Sequence, residues 1–98
     1  MKQYVNDFFT VTAPPSDFFS PNSNFVTEID ITGCNSVIFI NQANRAVNIP
    51  YPTGKRLFNN QVLYVNGKEL QLSQKKLTVQ FLKSFNQGKL VVIRKKFI

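Results

Sequence analysis

The stretch that most limits how this chain can fold is residues 37–49, VIFINQANRAVNI. Four apolar, mostly β-branched residues open it, a polar Asn41-Gln42-Ala43-Asn44 break follows, and Ala46, Val47 and Ile49 resume the apolar pattern. Such residues pack well on a pleated surface, so the stretch reads as a buried strand, a tight connection and a returning strand. The rest of the chain repeats the theme: short strands separated by Asn, Gly and Lys. No convincing helical period exists anywhere.

Taken in order, residues 4–12 (YVNDFFTVT) read as a first strand and residues 13–24 (APPSDFFSPNSN) as a loop. The three prolines of that loop cannot donate to a ladder, and its Ser, Asn and Asp favour turns. Phe18 and Phe19 are an apolar pair within it, serving either as a plug over the open end of the core or as an anchor on a neighbouring subunit. Residues 25–32 (FVTEIDIT) alternate, with Phe25, Thr27, Ile29 and Ile31 on a core face and Val26, Glu28, Asp30 and Thr32 on the other. Residues 50–61 (PYPTGKRLFNNQ) interrupt the strands for about a dozen positions, which makes them a candidate binding loop. Asn66-Gly67 between two β-like runs predicts a hairpin with a type I′ turn over residues 62–72. Leu77, Val79, Phe81 and Phe85 share one face of the next run, Asn86-Gln87-Gly88 turns the chain, and residues 90–93 are expected inside.

The expected fold is therefore all-β: a small antiparallel β-sandwich, jelly-roll-like, of seven to eight short strands with no substantial helix. Residues 1–98 form one domain, and residues 1–24 either pair within it or extend as an N-terminal arm. With only 4 glycines, the turns lean on asparagine, which tolerates positive φ.

The net charge of +7 is unevenly spread along the chain. Residues 1–50 hold two cations against four carboxylates, a balance of −2, whereas residues 51–98 hold ten against one, a balance of +9. Such a skew either keeps the protein soluble and its sheet edges unpaired or marks a surface for an acidic partner. Lys55, Arg56, Lys75, Lys76, Arg94, Lys95 and Lys96 are the candidate contacts for that partner. The single cysteine, Cys34, rules out an internal disulfide and reads as a small buried hydrophobe. No apolar run exceeds four residues, so no membrane span is expected, and Asp7 among the N-terminal aromatics argues against a secretory signal.

Catalytic chemistry finds little to use. The chain has no histidine, and one cysteine cannot make a thiolate metal site. Glu28 and Asp30 could act as an acid–base pair or hold a hard cation, but two carboxylates on one strand read as a solvated face. Thr53-Gly54-Lys55-Arg56 is not a phosphate loop, because Ile49 stands where its first glycine belongs and Arg56 where Ser or Thr must follow. Ser84 beside Lys83, and Ser73, lack the desolvated lysine that a Ser–Lys dyad requires. No catalytic residue, cofactor or metal is expected.

The residues 31–49, ITGCNSVIFINQANRAVNI, followed by LYVNGKELQL, resemble the small all-β structural proteins of bacteriophage virions. The shared features are a strand of the form V-x-F-x-N, here Val37, Phe39 and Asn41, a short polar turn, and a hairpin carrying Val65-Asn66-Gly67. The resemblance implies a non-enzymatic, multimeric, capsid-associated protein: a decoration, vertex (penton) or spike-base subunit, assembled in the host cytoplasm and located in the virion. Phe18, Phe19, Tyr51 and Phe58 are then the candidate subunit contacts, and the basic half would face an acidic capsid surface or the genome. The chain is shorter than a full-size jelly roll. A second reading is an OB-like barrel binding single-stranded nucleic acid through its basic half, with Phe58 or Tyr64 stacking on bases. A small enzyme or inhibitor module is the third.

Overall fold

A computed structural model describes residues 3–20, 23–49, 54–67, 72 and 75–97. Its strands are β1 (Tyr4–Ala13), β2 (Phe25–Asp30), β3 (Cys34–Asn41), β4 (Val47–Ile49), β5 (Lys55–Leu57), β6 (Val62–Asn66), β7 (Lys76–Phe81) and β8 (Gly88–Phe97). They form two four-stranded sheets, sheet A in the order β1-β8-β3-β6 and sheet B in the order β2-β7-β4-β5. Every ladder is antiparallel.

The order has a simple origin. Four ladders are nested, β1 with β8, β2 with β7, β3 with β6 and β4 with β5, as in one long hairpin folded about the residues between β4 and β5. Rolling that ribbon up adds two further ladders, β3 with β8 and β4 with β7. The result is a jelly-roll β-sandwich. β1 pairs with β8 of its own chain over its whole length.

Period-two alternation sends one side of each sheet inward. Phe9, Val92, Phe39 and Leu63 lie in one register row of sheet A, and Phe25, Phe81, Val47 and Leu57 in one row of sheet B. Phe39 and Phe81 are completely buried, and Ile29, Ile31, Val37, Ile49, Leu77, Val79 and Leu90 fill the space around them. Phe25 meets Phe81 edge-on at a centroid distance of 6.1 Å.

The structure corrects several expectations. Residues 37–49 are not a hairpin: β3 and β4 belong to different sheets, so residues 42–46 turn a corner between them. The buried Asn41 side chain makes that corner, its Nδ2 donating to Arg45 O at 2.8 Å and Leu57 O at 2.9 Å while its Oδ1 accepts from Ala43 N–H at 3.0 Å. Three backbone groups freed by the crossing are thereby satisfied, as burial requires. The expected loop at 50–61 contains β5, paired with β4. Asn66-Gly67 does not make the expected type I′ turn, because neither residue has the positive φ it requires; Asn66 pairs with Ser36 and the Gly67 N–H donates to Asn35 O at 2.8 Å; residues 68–71, the expected return, lie outside the described residues. The left-handed asparagine is Asn60 (φ 67°), in the turn from β5 to β6. Phe85 lies beyond β7 and is exposed rather than in the core. Of residues 90–93, Leu90 and Val92 are buried, whereas Val91 and Ile93 sit half-buried on the opposite face.

Candidate interaction surfaces

The two outer faces of the sandwich differ in chemistry. On sheet B the outward rows are Val26-Gln80-Asn48-Arg56, Glu28-Thr78 and Asp30-Lys76, polar but for one valine. On sheet A two adjacent outward rows are wholly apolar but for Thr10: Phe8-Ile93-Ile38-Tyr64 and Thr10-Val91-Ile40-Val62. Phe8 is 78% exposed, and Tyr64 and Val62 are more than half exposed. Sequence reasoning passed over this patch, although its signal is present. Four consecutive apolar residues, as in VIFI of β3 and LVVI of β8, supply both faces of a strand, and a two-layer sandwich buries only one. At a strand spacing of about 4.8 Å and about 7 Å between same-side residues, the two rows cover about 300 Å². A stable interface takes about 800 Å² from each partner, so this patch alone makes a weak contact.

The predicted aromatic contacts scatter, whereas Lys75, Lys76, Arg94, Lys95 and Lys96 lie at one end of the sandwich, around Asp30 and Cys34, with Lys55 and Arg56 apart from them on β5. Phe18 is half-buried, stacked on Phe85 at 3.9 Å between centroids, with Lys83 Nζ 4.5 Å from its ring centroid. Phe19 is fully exposed, and Phe58 is 55% exposed at the start of the β5–β6 turn. The first of the pair therefore packs locally while the second faces solvent. Tyr51 lies outside the described residues. Lys55 and Arg56 are exposed on β5, where Arg56 Nε donates to Asn48 Oδ1 at 2.8 Å; they line shallow depressions with Gln80 on one side and Val62 on the other. Lys75 is exposed beside β7, and Lys76 lies 3.5 Å from Glu28 in an exposed ion pair, which contributes little. Lys95 covers the Tyr4 ring at 4.0 Å, and Lys96 is half-buried opposite Val5.

Arg94 is committed elsewhere. Its guanidinium forks onto the Asp7 carboxylate, Nε to Oδ1 at 2.8 Å and Nη2 to Oδ2 at 2.7 Å, and its Nη1 donates to Asp30 O at 2.8 Å. It also lies 4.9 Å from the Phe9 ring centroid. One side chain thus ties two strands of sheet A to the end of β2. The hydrogen bonds from Arg94 hold Asp7 below the ordinary carboxylate range, against the opposing effect of partial burial, and Asp7 in turn raises Arg94. A carboxylate whose folded pKa is depressed stabilises the fold above its unfolded value, near pH 3.9, and loses that contribution as pH falls through the folded value. Asp7 is 44% exposed, so solvent screening limits the effect to about 1 kcal/mol or less. Urea melts of wild type and Asp7→Asn should therefore differ at pH 6 and converge toward pH 2; a constant gap would remove the ion pair as its cause.

The nested ladders divide the charge skew between the two sheets. Each of the four joins a strand of residues 1–50 to one of residues 51–98, so the acidic half is interleaved with the basic half. Asp7–Arg94 and Glu28–Lys76 are contacts of this kind. Asp30 Oδ1 accepts from Thr32 N–H at 2.9 Å, which lowers its pKa, and among the described residues no cluster of His, Cys, Asp or Glu fit to hold a metal is found. Cys34 is buried, and desolvation raises its thiol pKa. No helix among the described residues is long and apolar enough to cross a membrane. No protein-family model, curated protein or solved structure matches the chain.

Proposed function

We propose that this protein is a non-enzymatic structural subunit of a bacteriophage virion, a capsid-associated decoration, vertex or spike-base protein that holds its place through the outer face of sheet A. The observation that carries the reading is the asymmetry of the two outer faces: apolar rows on sheet A, polar rows on sheet B. The largest apolar patch of a small domain, ordinarily about 300–600 Å², often marks contact with another protein. The jelly-roll topology supports the virion part by analogy of fold alone, since viral capsid domains share it with lectins and cupins. A patch near 300 Å² suits a subunit held by several weak contacts at once. The nucleic-acid reading has less to rest on, because at the end where the cations gather Arg94 is paired with Asp7 and Lys76 with Glu28.

The test is incorporation. Tyr64 and Val62 are exposed on an edge strand, so Tyr64→Lys with Val62→Lys should leave the fold intact. Two ammonium groups trapped against an apolar partner should lower occupancy in purified virions ~100-fold, read by quantitative mass spectrometry. Absence of the wild-type chain from virions would refute the virion assignment, and undiminished incorporation of the double variant would refute the role of the face.

A further inference from the structure

The sandwich has four edge strands, and they are not equally guarded. β5 has three residues, two of them cations, and β2 has six with two carboxylates. β6 is uncharged but only five residues long. β1 runs for ten residues as the outer strand of sheet A, with no proline and a single charge, Asp7. An inward-pointing charge is one of the devices that keep an edge from pairing, along with lysines, prolines and bulges. Here Asp7 is held by the Arg94 fork within the same subunit, and no lysine stands on the strand. The ladder to β8 runs unbroken from Tyr4 to Ala13 without a bulge.

We infer that β1 pairs antiparallel with β1 of a second copy across a twofold axis, joining the two copies of sheet A into one continuous sheet. A twofold normal to the sheet keeps the outer faces on the same side, so only residues of like parity can oppose one another. The register that sets Phe8 against Phe8 pairs residues 4–12 of each copy. It places Asn6 opposite Thr10, Val5 opposite Val11 and Asp7 opposite Phe9, so no like charges stand directly opposite, and the two diagonal Asp7 carboxylates are each held by their own Arg94. It also accounts for Phe8, a phenylalanine 78% exposed at the end of an apolar row. The row Tyr64-Ile38-Ile93-Phe8 meets its own reverse at the axis, and two patches of about 300 Å² become one of about 600 Å². A second copy is the occupant because the edge offers what its own twofold image requires: outward backbone groups from Val5 to Val11 that pair with no described strand, an aromatic at the axis and no net charge to repel. The inference stands on the edge of β1 and holds whatever particle the protein serves.

The experiment uses the full chain. Sedimentation should show a concentration-dependent dimer, and Phe8→Lys, which sets two ammonium groups face to face at the axis, should raise its dissociation constant ~100-fold. Phe8→Asp should do the same, and an equal mixture of the two variants should restore association. Tyr64→Lys, at the far end of the same row, should leave the dimer intact. Amide exchange should show alternate slow and fast N–H groups along β1 in dilute protein and uniformly slow ones in the dimer. A wild type that stays monomeric at millimolar concentration overturns the inference, as does a dimer that Tyr64→Lys disrupts and Phe8→Lys does not. A monomeric wild type that still enters virions would overturn it while leaving the proposed function standing.

Discussion

Replacing Arg45 with alanine is expected to lower the unfolding free energy by about 3–4 kcal/mol and the melting temperature by roughly 15–25 °C. Arg45 is 3% exposed, and no carboxylate among the described residues is bonded to it. Its guanidinium instead collects oxygens from two other segments: Nε donates to Leu82 O at 2.7 Å, Nη1 to Pro14 O at 2.7 Å and Asn86 O at 3.3 Å, and Nη2 to Ser16 Oγ at 3.2 Å. Those segments follow β7 and β1, and Arg45 itself stands on the corner between β3 and β4. Burial pulls its pKa down, yet a guanidinium stays charged under any ordinary condition. Three loops at one end of the sandwich therefore close on one planar fork. Truncation removes charge-assisted hydrogen bonds and leaves partly buried carbonyls unpaired, the costlier half of the change. Arg45→Lys should recover only part of the loss, because one ammonium cannot span oxygens that a fork reaches together. Urea melts with an unchanged slope would report the difference directly. A loss below about 1 kcal/mol would mean that water enters and satisfies the carbonyls.

Arg45 shows where legibility ends. The strands themselves were visible, because the alternation of residues 25–30 and the apolar runs of β3 and β8 are local patterns that every sheet must obey. A cation satisfied by carbonyls from distant loops leaves no local trace; in sequence Arg45 is one basic residue in an acidic half. β5 was hidden for a related reason, since three residues between Gly54 and the Phe58-Asn59-Asn60 turn become a strand only because β4 offers them a ladder. The corner at Asn41 had the composition of a hairpin turn, and only the side-chain bonds to Arg45 O and Leu57 O distinguish a crossing from a return. The charge skew is a property of the chain order, and nested pairing sets each basic strand beside one from the acidic half. What would bear on function, the apolar outer face of sheet A, was legible in principle: VIFI and LVVI carry twice the apolar residues that a strand of a two-layer fold can bury.

Gly88 is a second residue whose role comes from distant packing. It sat in an apparent Asn-Gln-Gly turn, where glycine suggests backbone freedom, yet it is the first residue of β8 and is not among the positive-φ positions. Its lack of a side chain serves packing instead. A Cβ there would stand 2.5 Å from Cδ1 and 2.7 Å from Cε1 of Phe81, and 3.1 Å from Cβ of Ala13. The Phe81 ring has nowhere to retreat: it is completely buried, Phe25 meets it edge-on, and the Arg45 guanidinium lies 5.8 Å from its centroid. Gly88→Ala should therefore cost about 2–3 kcal/mol by overpacking. Phe81→Leu alone should cost about 1–2 kcal/mol for the volume it vacates. Combined, the two should cost at least about 1 kcal/mol less than their sum, because the smaller side chain frees the space the new methyl requires. Additive losses would shift the obstacle to Ala13 on β1, the other wall of the same gap. The sign of the coupling thus decides whether β8 is held at its first residue by the core of sheet B or by its own ladder, and only the first links Gly88 to the Arg45 closure.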